Sequence, residues 1–336
     1  MLLERKPTMP IHPMWENFPA IKDDLAESYA VMEKKVRIRN KEVETTIHDL
    51  LHSGGKLLRP AYFILFSRFG SATKKKHKKL IYTAASLEIL HMATLIHDDI
   101  IDDSPTRRGT PTVQAKYGKD IAVYTGDFLF TVYFDLIADA TDSFSTIKLN
   151  AFTMKRILIG ELDQMHLRYN TDVTLRQYLR RVTGKTAQLF SLSCFEGAQM
   201  GKADLKVITS SHHIGHNIGI AFQILDDILD YTENSEVLKK PVLEDVKQGV
   251  YSLPLILAMR GHQKEFAPYL KNGAAMSQED VTMVLSLIDK YQGVEEAKHL
   301  AERYTNKALK GINSLPEQPE KHLLLALTKQ LLNRNY

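Results

Sequence analysis

An all-α fold is what this chain predicts. Only 17 glycines and 12 prolines punctuate 336 residues. Long stretches repeat apolar residues at helical spacing, and no strand-like alternation is sustained enough to build a sheet. No linker is obvious, so residues 1–336 read as a single domain. Taking the elements in order, residues 1–19 hold several prolines and read as a loose arm. From about residue 20 to 51 the pattern is amphipathic and charged, and the glycines of HSGGK stop it. RPAYFILFSRFG, 59–70, restarts a helix with Pro60 near its beginning. KKKHKK, 74–79, is a basic run between helices. LIYTAASLEILHMATLIHDDIID, 80–102, is apolar nearly all round, which predicts a buried helix that ends before Pro105. Further helices are expected at about 119–140, 145–168, 174–200, 204–230, 252–260 and 278–311, with a leucine-rich one at 319–334.

Composition narrows the function classes. Hydrophobic residues make up 44% and charged residues 25%, ordinary values for a globular chain. The net charge of +4 is too small to argue for nucleic acid, and KKKHKK lacks the interleaved aromatics that a nucleic-acid surface uses. Cys194 is the sole cysteine, so no intramolecular disulfide forms, which fits a reducing cytoplasm. The opening MLLERKPTMP lacks the apolar core of a signal peptide. No stretch approaches the ~18 uninterrupted apolar residues of a membrane span, so any membrane is met from outside.

The chemistry concentrates in two echoes of one pattern. LIHDDIID, 95–102, recurs as QILDDILD, 223–230, each on the end of an apolar helix. Asp98 and Asp102 share a helix face, as do Asp226 and Asp230. Stacked carboxylates repel, and near a helix C-terminus the macrodipole adds to the cost. A cation compensates such clusters, and carboxylate oxygens suit Mg²⁺, which bridges to substrate phosphates. One such cluster could be a solvated helix end; two, each behind a strongly apolar turn, argue against that. A calcium loop would need alternating oxygen ligands and a turn glycine, and DDIIDD has neither. Basic residues accompany the clusters: Lys56 and Arg59 in GGKLLRP, Arg107 and Arg108 after the first, Lys185 in TGKTAQ, and Lys239 and Lys240 in KKPVLED. Together they predict a site for more than one polyanion.

GGKxxRP, DDxxD with a trailing RRG, GKT, FQxxDDxxD and KPxxxD, in that order, resemble the trans-isoprenyl diphosphate synthases, the polyprenyl synthetase family. The likeness runs from about Gly54 to Ala258. It is closest to the catalytic subunits of bacterial hexaprenyl and heptaprenyl diphosphate synthases. The resemblance implies an antiparallel helical bundle around a deep central cavity, with the two acidic motifs facing each other at its mouth. It implies that Asp98, Asp102, Asp226 and Asp230 hold Mg²⁺, three ions per active site with substrate bound. Arg107, Lys185, Thr186, Gln223 and Lys240 match positions that contact the allylic diphosphate. Lys56, Arg59, His91 and Arg108 match positions that bind isopentenyl diphosphate. His97 reads as structural or supporting. The implied reaction ionises the allylic diphosphate, condenses the cation with isopentenyl diphosphate, and eliminates a proton. A homodimer is the family default, and some members need a small non-catalytic partner subunit. The product of such an enzyme can be handed to a membrane.

Product length should be set below Asp98 on the same helix, by Ala93 and Thr94 about one turn down, Leu90 two turns and Leu87 three, at about 5.4 Å a turn. Members that stop at 15 carbons tend to place a bulky residue one turn before the first aspartate. Ala93 and Thr94 are small, which favours a product of about 30 to 50 carbons, the hexaprenyl or heptaprenyl class, with Phe128 or Phe152 as stops on neighbouring helices. Two departures stand out: Lys239 replaces the glycine of Gly-Lys-Pro, and Val250 in GVYSLP takes the place of a lysine that helps hold the allylic diphosphate in short-chain members. The alternatives are a geranylgeranyl or farnesyl diphosphate synthase, a class I terpene cyclase, or a non-catalytic subunit. A cyclase would carry an Asn/Ser/Glu triad in the second motif and would not need Lys56 and Arg59. A non-catalytic subunit tends to lose aspartates, and both clusters are intact.

Overall fold

The computed structural model describes residues 11–53, 55–71, 76–232 and 244–332. The chain forms two compact units, Met1–Asn150 with Ser193–Thr209, and Ala151–Leu192 with Ser210–Tyr336. Both are helical, and the all-α class is observed.

In the first unit, α1 (Pro19–Lys35), α2 (Lys41–His52) and α3 (Leu58–Ser67) precede α4 (His77–Ile101). Asn40 caps α2 by accepting from the amides of Glu42 and Val43. α4 packs against α1, α3 and α6 (Lys119–Ala140). Surrounded in this way, it has no polar face to present: Leu87, Leu90 and Ala93 are fully buried. Each buried leucine contributes about 2 kcal/mol of transfer free energy. Every residue of α3 is buried as well, and a helix from later in the sequence explains how. A Cβ on Gly197 would fall 2.3 Å from the carbonyl oxygen of Phe63, and one on Gly201 would fall 2.1 Å from that of Ser67. Only glycine lets the end of α9 (Gln188–Met200) lie on α3 backbone to backbone.

Among the described residues two helices reach the length and composition of a membrane span, α4 with mean hydropathy 1.3 and α6 with 1.4. In α4, 67% of the apolar window is buried inside the protein, so its composition is that of a core helix.

The reading of residues 1–19 as a loose arm is corrected over its second half; residues 1–10 lie outside the described residues. Pro13–Asn17 form a 3₁₀ turn. Trp15 is fully buried, Phe18 nearly so, and the Trp15 indole Nε1 donates to the Lys56 carbonyl at 3.0 Å. An aromatic pair with an interior to enter overrides the prolines beside it.

The first unit also holds a hairpin that alternation does not announce, with Thr106 opposite Pro111 and Arg107 opposite Thr110. Its loop residues, Arg108 at φ +51° and Gly109 at φ +80°, are both left-handed, the signature of the tight turn whose twist suits paired strands. The short helix α5 (Val113–Tyr117) follows.

In the second unit, α8 (Leu175–Val182) starts on a capping box of Thr174 and Gln177. The expected helix over 174–200 is continuous but contains a π turn, Thr183–Ala187, where the GKT motif sits. α10 (Leu205–Thr232) carries the second acidic motif. Later helices include α11 (Leu253–Met259), α12 (Gln263–Leu270), α13 (Gln278–Lys290), α14 (Gly293–Asn313) and α15 (Pro319–Leu332), with short turns at Glu244–Lys247 and Gly273–Ala275. α13 and α14 replace the single helix expected over 278–311, because Gln292 turns left-handed at φ +53°. α7 (Phe144–His166) begins in the first unit and ends in the second.

Candidate active site

α4 presents the first motif one turn at a time. Asp98 and Asp102 stand at half-buried positions, and the Asp102 amide still donates to the Asp98 carbonyl at 2.9 Å, so the helical spacing holds to the motif's end. Asp99 between them points inward and is 3% exposed. Arg107, on the hairpin, meets it: Nε donates to Asp99 Oδ1 at 2.8 Å and Nη2 lies 2.6 Å from the same oxygen. Expected as a diphosphate contact, Arg107 thus also compensates a buried carboxylate.

The left-handed Arg108 turns its guanidinium back toward the GGK loop. Its Nη1 lies 3.0 Å from where a Gly55 Cβ would be, and Glu88 Oε1 lies 3.6 Å from that point. The second glycine of GGKLLRP is therefore a seat for Arg108. Arg59, 9% exposed on α3, joins the group. Burial lowers its pKa to about 10, with Glu88 opposing and Arg108 adding to the shift. His91 is held well below its ordinary range by burial and then by Arg59, Arg108 and Arg107, so it is neutral. Arg59, His91 and Arg108 are thus brought together, with Lys56 at the exposed edge beside them.

Glu88 is the member that motif matching missed. It is 6% exposed, and burial raises its pKa against the pull of Arg59 and Arg108. Its Oε2 is a buried oxygen with no hydrogen-bond partner among the described residues. An acidic residue inside the apolar run AASLEILHMA was the available signal, since carboxylates are rarely buried without cations.

Of the expected tunnel residues, Leu87, Leu90 and Ala93 are fully buried. Thr94 is half-buried and donates Oγ1 to the His91 carbonyl at 2.7 Å. Phe128 is half-buried on α6, and Phe152 on α7 is 55% exposed.

In the second unit α10 repeats the arrangement with different chemistry. Asp226 is exposed and Asp230 half-buried, while Asp227 between them is 7% exposed. Tyr178 Oη donates to Asp227 Oδ2 at 2.7 Å, the Leu253 amide to the same oxygen at 3.3 Å, and Gln223 Nε2 to Oδ1 at 2.9 Å. Burial pushes this carboxyl up to about 6 against those donors and nearby Arg181. Gln223 in turn accepts from Thr186 Oγ1 at 2.6 Å, which joins the π turn to the motif. Lys185 on the same turn pairs with Glu161 Oε2 at 2.8 Å. Arg181 Nη2 donates to the Tyr251 carbonyl at 3.0 Å and so anchors the GVYSLP segment that holds Val250. Lys239 and Lys240 lie outside the described residues.

Each motif thus locks its middle aspartate and sets its outer two one turn apart, an oxygen donor set that fits a hard divalent cation. Among the described residues no three His, Cys, Asp or Glu side chains gather into a ready-made metal cage. Two carboxylates per motif leave coordination positions for water and phosphate oxygens.

Residues 40–290 match the family model for polyprenyl synthetase. The chain belongs to the polyprenyl synthetase family. It is 35% identical to heptaprenyl diphosphate synthase component 2 of Geobacillus stearothermophilus, over 94% of this chain and 97% of that one. Among solved structures it resembles a geranylgeranyl pyrophosphate synthase from Lactobacillus brevis at 47% identity, TM-score 0.92, covering 96% of this chain and 99% of that one. It also resembles a heptaprenyl diphosphate synthase from Staphylococcus aureus at 34% identity, TM-score 0.87, covering 94% and 99%. This polyprenyl synthetase is a trans-prenyltransferase with the all-α isoprenoid synthase fold, and its family uses a divalent metal.

Proposed function

We propose that the chain joins an allylic prenyl diphosphate to isopentenyl diphosphate, repeatedly and with Mg²⁺, to give an all-trans polyprenyl diphosphate. The observation that carries this reading is the presence of two sets of phosphate-binding chemistry: aspartate pairs suited to metal, and a separate basic group of Lys56, Arg59 and Arg108 beside neutral His91. A cyclase, with one diphosphate to hold, has no use for the second set.

Asp98 and Asp102 in the first motif, and Asp226 and Asp230 in the second, would hold the Mg²⁺ ions, three when substrate is bound. Bound Mg²⁺ supplies charge neutralisation that makes the allylic diphosphate a leaving group. Arg107, Lys185 and Lys240 add positive charge to that diphosphate, and Thr186 and Gln223 add hydrogen bonds. Lys56, Arg59, His91 and Arg108 hold the second diphosphate so that its alkene meets the cation, which is catalysis by orientation. The new carbon–carbon bond forms from the alkene's electron pair, and the proton lost from the adjacent carbon passes to the released diphosphate. The apolar wall of Leu87, Leu90 and Ala93 keeps water from the cation.

On chain length the relatives named above include both heptaprenyl and geranylgeranyl synthases. Small Ala93 and Thr94 one turn below Asp98 leave no floor there, which supports the longer class, about 30 to 50 carbons. The family match runs through both compact units, which supports reading residues 1–336 as one functional domain. We read the assembly as a homodimer. α7 exposes Phe144 (78%), Phe152 (55%) and Leu162 (63%), apolar surface that a second copy would cover. The component 2 relatives raise the question of a small partner subunit. The lone Cys194, buried and therefore inert, is in keeping with a cytoplasmic enzyme.

The test is to incubate the purified chain alone with farnesyl diphosphate, labelled isopentenyl diphosphate and Mg²⁺, and to size the dephosphorylated products. A ladder ending near 35 carbons, about four or five turns of wall, supports the reading without a partner. A single 20-carbon product would move the chain to the geranylgeranyl class. No incorporation from any allylic primer would sink the self-sufficient elongase.

A further inference from the structure

The turn at Pro13–Asn17 and the residues beside it lie against the basic group. Trp15, fully buried, holds the carbonyl of Lys56, and the Trp15 amide donates to the His12 carbonyl at 3.1 Å. His12 is thereby fixed beside the GGK loop, half-buried. Lys56 and Arg108 both act on its ring, lowering its pKa behind the effect of burial. The ring's orientation is set as well. The Met14 amide donates to His12 Nδ1 at 3.2 Å, so in the neutral ring the proton sits on Nε2. The result is an N–H donor held by its own turn at the edge of a cationic group, and the charges of Lys56 and Arg108 act on it.

We propose that His12 is a further binding residue for isopentenyl diphosphate, donating Nε2–H to the diphosphate that Lys56, Arg59 and Arg108 hold. The inference rests on the reading of those three residues as the grip on the non-allylic substrate. Its chemistry follows from the change of charge on binding. Without substrate, burial and then the neighbouring cations Lys56 and Arg108 work against a proton on the ring. An arriving diphosphate reverses the local field, the ring takes up a proton, and its hydrogen bond becomes charge-assisted. The N-terminal turn would then act in catalysis as a binding element and not only as packing on α1.

The test compares wild type with His12→Ala, His12→Gln and Lys56→Ala in steady-state kinetics, with each substrate varied in turn. His12→Ala should raise KM for isopentenyl diphosphate about tenfold, the loss of one hydrogen bond to a charged group, with kcat and the allylic KM little changed. His12→Gln keeps an N–H donor and should recover most of that loss. Trp15 is the single tryptophan, so its fluorescence reports whether the turn stays docked; if His12→Ala undocks it, His12→Gln and the following measurement decide. Calorimetric titration of the enzyme with isopentenyl diphosphate alone, near pH 7 in buffers of different ionisation enthalpy, should show proton uptake that falls in His12→Ala. His91, Glu88, Arg59, Lys56 and Arg108 share the pocket, so the difference between the two proteins is the informative quantity. Unchanged KM and proton uptake in His12→Ala, with KM raised in Lys56→Ala, would overturn the role of His12 alone. Unchanged KM in Lys56→Ala as well would overturn the grip and the His12 proposal together.

Discussion

The two acidic motifs share a sequence and differ in how their middle aspartate is kept. Asp99 and Asp227 are both buried, at 3% and 7% exposure. Asp99 is met by a full charge, the Arg107 guanidinium at 2.6 and 2.8 Å. Asp227 is met by neutral donors, the Tyr178 hydroxyl, the Gln223 amide and the Leu253 backbone. Burial pushes the Asp227 carboxyl up to about 6, against the hydrogen bonds of these donors and the charge of nearby Arg181. Both arrangements leave the outer aspartates one turn apart, the pairs proposed to hold metal. The two motifs thus share the spacing of their outer aspartates and differ in the partners of the buried one.

The largest effects should come from the outer aspartates, where the motifs are alike. Asp98→Ala and Asp226→Ala should each cut turnover at least a hundredfold, roughly the scale of losing a preorganised charge-stabilising group. Circular dichroism should show the helices intact. Turnover near wild type in either variant would break the assignment of that motif to metal.

Next come the middle aspartates, where the motifs should part company. Arg107→Gln removes the paired guanidinium from buried Asp99, a change that destabilises by about 3 kcal/mol. Tyr178→Phe removes one of several neutral donors from Asp227 and should cost about 1.5 kcal/mol. Denaturant midpoints of the two variants measure the difference directly. Equal losses would mean that the two locks are energetically the same, whatever their chemistry.

Much of this was readable before any coordinates, and the boundary is instructive. The buried character of α4 followed from an apolar surface all round, and the pairing of Asp98 with Asp102 from helical period alone, because both are local properties. The hairpin at 106–111 was not readable, since two-residue strands show no alternation. What announces it is left-handed backbone at Arg108 and Gly109. Trp15 was misread because its acceptor, the Lys56 carbonyl, lies far along the chain. The locks on Asp99 and Asp227 differ for the same reason: Arg107 is eight residues from its aspartate and could be suspected, whereas Tyr178 is 49 away. Local chemistry is legible where the partner is local.

A third buried carboxyl extends the comparison to its limit. Glu196 is fully buried. Asn150 Nδ2 donates to its Oε1, while its Oε2 has no hydrogen-bond partner among the described residues. With one neutral donor and no cation, burial raises its pKa from 4.5 to about 8. The folded state therefore holds a proton that the unfolded chain has released above pH 4.5. The sign follows: Glu196 favours folding most at acid pH, and that contribution declines as pH rises from 4.5 to about 8. The decline is at most about 1.4 kcal/mol per pH unit for one proton. Glu196→Gln, which keeps an acceptor for Asn150 and carries no titrating proton, should flatten stability against pH across that window and leave the variant the more stable protein near pH 8. An unchanged slope would show that Asn150 and Tyr133, whose hydroxyl donates to Asn150 Oδ1 at 2.6 Å, compensate Glu196 as fully as Arg107 compensates Asp99. Compensation would then depend on the network around a carboxyl rather than on the charge of its nearest partner.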